Sequence, residues 1–404
     1  MGMKRFLALA AALLLILGPV PTAFAFEEEE AVIPTQAQVD QEVKFAASLT
    51  PGENLPVRSA ILMEQQSGKI LYAQNEHEAL PPASVTKIMS LLLIMEAIDS
   101  GKIDLTDTVT CSETAANYGG SQIWLKPGEE MTVEDLLKAA AISSANDATV
   151  CLAEYVSGSE AAFVNLMNQR AQDLGMNDTV FKCAAGLDNE GHVSSAYDIA
   201  LMSRALLEHP LITKYTTIWM DSLRDGATQL VNTNRMVRFY EGATGLKTGT
   251  TNGAGSCLSA TATRDGLGLI AVVMGAPTSD DRFAASRSLL DWGFANFMLV
   301  ELKAPEAILP MKVTGGTAPQ VELWCQPPAG VVVDKAKGSA VTQEVVMEES
   351  VAAPVENGQQ LGKVVVLVDG EQVAEYPLLA SQEVRQISFF RALGLLYKRL
   401  LAVS

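Results

Sequence analysis

The alternation of apolar and polar positions divides the chain into sheet, then helices, then sheet again. Residues 59–64 and 70–74 are short apolar runs joined by Gln65-Gln66-Ser67-Gly68-Lys69, a pattern that predicts a β-hairpin. Residues 88–98 are apolar on nearly every side, interrupted by Ser90 and Glu96. Such a run predicts a helix buried all round, and it is too short and too polar to span a bilayer. Helical periodicity dominates residues 133–156, 160–174 and 196–207. Strand-like sequence returns from Leu246, with residues 256–263 and 267–275 flanking the tight-turn signal Arg264-Asp265-Gly266. A helix over residues 282–297 closes this unit. Beyond residue 300 the texture becomes short β-type runs (311–313, 321–324, 330–333, 364–368) broken by Gly and Pro, which predicts a separate small β domain.

The two ends behave differently from the middle. Lys4 and Arg5 precede an apolar run over residues 6–18, then Pro19, Pro21 and Ala23-Phe24-Ala25. This is the layout of a secretory signal peptide over residues 1–25. Residues 26–50 are polar and acid-rich and read as an exposed leader. At the other end, residues 385–404 carry four basic residues and no acid. On a helical wheel Phe389, Phe390, Leu393, Leu396, Tyr397, Leu400 and Leu401 share an arc of roughly 140°, with Arg391, Lys398 and Arg399 outside it. Two readings fit: a helix lying on the outer face of an anionic cytoplasmic membrane, which we favour, or a helix packed on its own β domain.

With 404 residues, 48% hydrophobic and 19% charged, the chain is globular, and at this length two domains are expected, since single cores rarely grow past about 250–300 residues. The divisions expected are a first domain over 51–299 and a β domain over 300–384. A net charge of −18 argues against a nucleic-acid partner, which needs a basic footprint. The five cysteines, Cys111, Cys151, Cys183, Cys257 and Cys325, are scattered and odd in number, and only three histidines are present. They form neither a disulfide framework nor a metal-ligand pattern and read as small buried hydrophobes, with one disulfide still possible.

Three short motifs carry candidate chemistry: Ser84-x-x-Lys87, Ser144-x-Asn146 and Lys247-Thr248-Gly249. Each is common by chance; their contexts matter. Ser84 opens the buried helix, and Lys87 lies one turn on along the same face. A serine hydroxyl needs a base, and with histidine scarce the lysine is the available one, provided burial and a second cation such as Lys247 keep it neutral. Ser144 and Asn146 end a helical stretch, where a hydroxyl can relay a proton and an amide can hold a peptide group; alternatively they are a helix cap. Lys247 and Thr248 offer a positive charge and a hydroxyl to an acidic group, and Gly249 allows close backbone approach along a strand edge. The G-x-x-x-x-G-K-[ST] spacing of a phosphate loop is not met.

Taken together, these motifs, with Pro82-Ala83 before the first, Asp147-Ala148 after the second, Gly186-Leu187-Asp188, His192-Val193-Ser194-Ser195-Ala196-Tyr197-Asp198 and Thr250-Thr251 after the third, resemble the serine D-alanyl-D-alanine carboxypeptidases, the low-molecular-mass penicillin-binding proteins of the penicillin-binding protein 5 type. The resemblance covers the chain from about residue 50. It implies an α+β fold of the β-lactamase/transpeptidase kind, with helices on an antiparallel sheet, followed by a small all-β domain and a C-terminal amphipathic helix. It further implies an exported enzyme of the cell envelope that removes the terminal D-alanine from peptidoglycan stem pentapeptides and is acylated by β-lactams. Ser84 would be the nucleophile, Lys87 its base, and Ser144 with Lys247 the proton path to the leaving amine. Asn146, Lys247, Thr248, Gly249, Thr250 and Arg282 would bind substrate, with the backbone N–H groups of Ser84 and Thr250 as the oxyanion hole. His192 is read as shaping the site wall. No cofactor is required. Asn232-Thr233-Asn234 stands where some relatives carry a further arginine, a departure that puts more of the carboxylate binding on Lys247, Thr248 and Arg282. A class A β-lactamase and a non-catalytic wall-binding protein are the alternatives; the first needs a deacylating glutamate, and this chain has no Glu-x-x-Leu-Asn sequence after Ser144.

Overall fold

The computed structural model describes residues 54–336 and 341–401. The signal peptide and leader expected over residues 1–25 and 26–50 lie outside them. The chain begins with strands β1 (Ser59–Glu64) and β2 (Ile70–Gln74) and helix α1 (Lys87–Asp99). Strands β3 (Thr108–Thr110) and β4 (Glu130–Thr132) pair with each other. Helices α2 (Val133–Ile142), α3 (Asn146–Ser157), α4 (Glu160–Asp173) and α5 (Ala196–Leu207) follow. Next come the hairpin of β5 (Met220–Leu223) and β6 (Thr228–Val231), strands β7 (Ala243–Thr251), β8 (Gly255–Arg264) and β9 (Leu267–Ala276), and helix α6 (Ser279–Asn296).

Five strands form one antiparallel sheet in the order β2-β1-β9-β8-β7. Side chains alternate along a strand, and here both sets are apolar. Ile61, Met63, Ile270, Val272 and Met274 face the main helical cluster, whereas Ala60, Leu62, Leu269, Ala271 and Val273 face α6. Covering on both faces explains why β9 is one continuous apolar run. It also adds α6 as a layer beyond the simple helices-on-sheet arrangement that the resemblance implied. Helix α1 is ringed by α5, α3, α4 and α2, which accounts for its apolar residues on every side.

The long helical stretch expected over 133–156 is two helices. Helix α2 stops because Ser144 takes a left-handed conformation (φ +62°) and the Ala145 N–H closes on the Ala139 carbonyl, the wrap of a left-handed helix cap. Glycine normally marks that cap, and its absence hid the break.

Beyond α6 the chain forms β10 (Phe297–Glu301), β11 (Met311–Thr314), β12 (Gln320–Val321), β13 (Leu323–Trp324), β14 (Gly330–Asp334), β15 (Val341–Met347), β16 (Ser350–Ala352), β17 (Gln360–Val368) and β18 (Glu371–Ala380). They form sheets β13-β18-β17-β15 and β12-β11-β16 around a third apolar cluster. Pro377 sits inside β18 opposite Lys363, but β13 pairs only with Leu379 and Ala380. The proline's other side therefore has no ladder bond to lose. The β10–β14 ribbon joins the two parts: Val331 and Val333 belong to the β-domain cluster, while Val332 points into the cluster beneath α6. All five cysteines are free; Cys111, Cys151, Cys183 and Cys257 are buried, as expected of small hydrophobes. Helix α7 (Phe389–Leu401) ends the described chain.

Candidate active site

Ser84 lies not in α1 but in a 3-10 turn, Ala83–Thr86, immediately before it. Ala83 holds φ at +49°, a conformation unfavourable for a residue with a Cβ, so the surroundings must fix the turn. They do so through His192. The Lys182 N–H donates to His192 Nδ1 at 2.9 Å, so the ring proton is on Nε2, which donates to Thr86 Oγ1 at 2.8 Å. Burial pushes the His192 pKa down to about 4, keeping the ring neutral. The histidine is thus a prop for the turn that carries Ser84.

Lys87 is fully buried at the first position of α1. Its Nζ lies 3.0 Å from Ser84 Oγ, 2.5 Å from Asn146 Oδ1 and 2.8 Å from the Ala185 carbonyl. A neutral amine has two N–H donors and one lone pair. The two donors satisfy Asn146 and Ala185, and the lone pair is left for the Ser84 hydroxyl. Burial lowers the Lys87 pKa to about 7, against the opposing pull of Cys183 and Asp147. The second-cation effect expected from Lys247 falls chiefly on Lys247 itself. Its pKa lies well below the usual lysine value because of burial first, then the Lys87 and Arg282 charges.

Ser144 and Asn146 flank the break between α2 and α3. Neither side chain serves as a helix cap: Asn146 Nδ2 donates to the Gly119 carbonyl at 2.8 Å while its Oδ1 takes Lys87. Ser144 Oγ is buried and has no hydrogen-bond partner among the described residues, a state that calls for an explanation in a native structure. Asp147, which entered the sequence reading only as text beside the second motif, is fully buried and accepts from the Ile123 and Leu125 N–H groups at 3.2 and 3.0 Å.

Strand β7 is the edge of the sheet, so one row of its backbone groups is free of ladder partners and faces the Ser84 turn. A Cβ at Gly249 would lie 2.9 Å from the Pro82 carbonyl oxygen and from the Ser84 and Val85 nitrogens. Only glycine lets the strand come this near. Lys247 is buried, its Nζ 3.1 Å from the Thr248 carbonyl, and Thr248 Oγ1 donates to Thr233 Oγ1 at 2.7 Å. Thr233 is thus brought to the site, while Asn232 and Asn234 make turn bonds with backbone. Thr250 is exposed. Arg282 is buried, and its Nη1 donates to Thr250 Oγ1 at 2.6 Å and to the Gly249 carbonyl at 3.2 Å.

The structure therefore gathers Ser84, Lys87 and Asn146 by direct contact, sets Gly249 against the Ser84 turn, and links Arg282 to Thr250. The Ala185 carbonyl, Asp147 and Thr233 were missed. A backbone carbonyl leaves no trace in sequence, and the other two act through partners far along the chain that local pattern does not reveal.

Residues 45–278 match the D-alanyl-D-alanine carboxypeptidase family model, and residues 301–386 match the model of the penicillin-binding protein 5 C-terminal domain. The D-alanyl-D-alanine carboxypeptidase DacF of Bacillus subtilis is 45% identical over 337 residues, 82% of this chain and 87% of the relative. DacC of Escherichia coli is 36% identical, over 86% of this chain and 89% of the relative. Among solved structures, penicillin-binding protein 5 from Haemophilus influenzae superposes with a TM-score of 0.75 at 33% identity, over 84% of this chain and all of that one. Penicillin-binding protein D2 of Listeria monocytogenes, solved in an ampicillin-bound form, gives 0.53 at 32% identity over 60% of this chain and all of that one.

Proposed function

The chain belongs to the D-alanyl-D-alanine carboxypeptidase family and acts as a serine-type hydrolase of that specificity, and from that premise we propose the role of each residue. Ser84 Oγ attacks the carbonyl between the two D-alanines, giving its proton to the Lys87 amine. The Ser84 and Thr250 N–H groups receive the developing oxyanion. Ser144 and Lys247 pass a proton to the departing D-alanine amine, and water then releases the acyl group from Ser84. Asn146 holds the penultimate amide. Thr248, Lys247, Thr250 and, through Thr250, Arg282 meet the terminal carboxylate. The observation that carries this reading is the buried Lys87 amine, whose two donors are spent on Asn146 and Ala185 and whose third direction is the Ser84 hydroxyl.

The substrate is the peptidoglycan stem pentapeptide, and β-lactams acylate the same serine. Residues 51–299 act as the catalytic domain, with residues 300–384 as a separate β domain. The enzyme works outside the cytoplasm after loss of residues 1–25. Among the described residues no helix is long and apolar enough to cross a membrane. The exposed Phe389, Phe390, Leu393 and Tyr397 of α7, on a segment without acids, support a helix resting on the membrane surface. Release of D-alanine from a diacetyl-lysyl-D-alanyl-D-alanine peptide by the wild type and not by Ser84→Ala supports the assignment. Equal release by both sinks it.

A further inference from the structure

The direction of the Lys87 lone pair is set by the two groups that take the amine's protons, Asn146 Oδ1 and the Ala185 carbonyl. Neither is fixed by a helix or sheet hydrogen bond. Ala185 lies in residues 181–190, which form no helix or strand, and an asparagine amide can turn about its side-chain bonds. Further contacts hold both. Ser90, one turn on from Lys87 along α1, donates from Oγ to the Ala184 carbonyl at 2.7 Å, so one face of the helix grips two successive carbonyls. The Ala184 N–H donates to Glu160 Oε1 at 2.9 Å. On the other side, Asn146 Nδ2 donates to the Gly119 carbonyl at 2.8 Å. Tyr118, the residue before Gly119, donates its hydroxyl to that same Glu160 oxygen at 2.5 Å. A carboxylate oxygen has two lone-pair positions, and both are filled here.

Glu160 is the first residue of α4, just after the Ser159 cap. An acid at that position is ordinarily a response to the helix dipole, but this one is turned to two other segments of the chain. Burial first, and then the Glu160 carboxylate, push the Tyr118 pKa far above its usual value, so the phenol stays a donor. Ala184 and Ala185 are fully buried. Without Glu160 the Ala184 N–H would be an orphan in the interior, and its segment would have to shift to pair it. The segment has little room to do so, since a Cβ at Gly186 would lie 2.0 Å from the carbonyl oxygen of Ala83, the neighbour of Ser84. A shift there is felt both at the Lys87 amine and at the turn that carries Ser84.

We propose that Glu160 and Tyr118 are positioning residues for acyl transfer: the carboxylate latches the segment that supplies Ala185 to the segment that holds Asn146, and so aims the Lys87 lone pair at the Ser84 hydroxyl. Neither residue is among those assigned above to substrate, and the inference rests on Lys87 as the base. In the step that the latch supports, the Ser84 proton passes to Lys87 Nζ as the bond from Ser84 Oγ to the acyl carbon forms.

The test follows acylation of the full chain by a fluorescent penicillin over a concentration series, which separates the saturating rate from the half-saturation concentration. Glu160→Ala is expected to lower the saturating rate by about 10², the effect of misplacing a reacting group by about 1 Å, and to leave half-saturation within about twofold. Glu160→Gln keeps an oxygen acceptor for both donors and brings the rate back to within about threefold of wild type. Tyr118→Phe, which removes one hydroxyl, lowers the rate about fivefold. Saturating rates within about twofold of wild type in both Glu160→Ala and Tyr118→Phe overturn the proposal. So does a loss carried by the half-saturation concentration, or one that Glu160→Gln shares in full. If Glu160→Ala does not fold, Tyr118→Phe and Glu160→Gln decide by the same limits. Normal acylation of Lys87→Arg overturns the base assignment and the latch with it, whereas failure of the latch variants alone leaves that assignment standing.

Discussion

The approach of β7 to the nucleophile turn gives a sharp prediction, the effect of Gly249→Ala. The added Cβ would meet three backbone atoms at 2.9 Å, against an ordinary contact of 3.4 Å or more. Backbone cannot rotate away as a side chain can, so the strand and the turn must part by about 0.5 Å. Gly249 has no left-handed φ, so alanine brings no conformational strain of its own, and the cost falls on the spacing between the Ser84 and Thr250 N–H groups proposed as the oxyanion hole. Loss of one such donor costs about 10² to 10³ in rate, and misplacement by about 1 Å about 10². We expect acylation by a fluorescent penicillin to slow by about 10², equivalent to about 2.7 kcal/mol of transition-state stabilisation. The midpoint of thermal unfolding should move by only a few degrees. Acylation within threefold of wild type would refute the argument that the close approach sets the oxyanion geometry.

Further outcomes follow from the buried groups. Because Lys87 must be neutral to accept the serine proton and its pKa lies at about 7, kcat/KM for D-alanine release should fall about tenfold per pH unit below that value; a flat profile from pH 5 to 7 contradicts the role. Lys87→Arg, charged throughout, should lower acylation by at least about 10³ with the fold kept, as circular dichroism would report. His192 is buried neutral, with a pKa of about 4 against an ordinary 6.5, so the unfolded chain takes up a proton first as pH falls. Its contribution is intact above about 6.5 and lost between there and about 4, by up to about 3 kcal/mol. Denaturant titrations of wild type and His192→Gln should converge over that window. Arg282→Gln frees Thr250 from its guanidinium and should raise KM for the peptide about tenfold, more than it lowers kcat; an unchanged KM removes Arg282 from carboxylate binding.

Much of this architecture was legible because apolar period and tight-turn chemistry agree. The β1–β2 hairpin, the largely apolar α1 and helix α5 stand where the periodicity puts them. Elements that do not bury a full face were harder to see. Strand β15 alternates half-buried with exposed residues, and β18 contains Pro377, tolerated only because its neighbour is short. In the site, Ser84 and Lys87 were readable from their spacing, since three residues bring both to one end of a helix. The Ala185 carbonyl that accepts a hydrogen bond from Lys87 and the Asp147 carboxylate that accepts from the Ile123 and Leu125 N–H groups were not. Each acts through a contact between segments distant in sequence, and local pattern carries no record of such contacts.

The central claim is that Ser84 is the nucleophile and Lys87 its base. Intact-protein mass after brief exposure to penicillin, with peptide mapping of the adduct, tests it most directly. The account predicts one drug equivalent on Ser84 in the wild type, none in Ser84→Ala, and a strongly delayed adduct in Lys87→Arg. An adduct of normal rate in Lys87→Arg, or one mapped to Ser144, would contradict it.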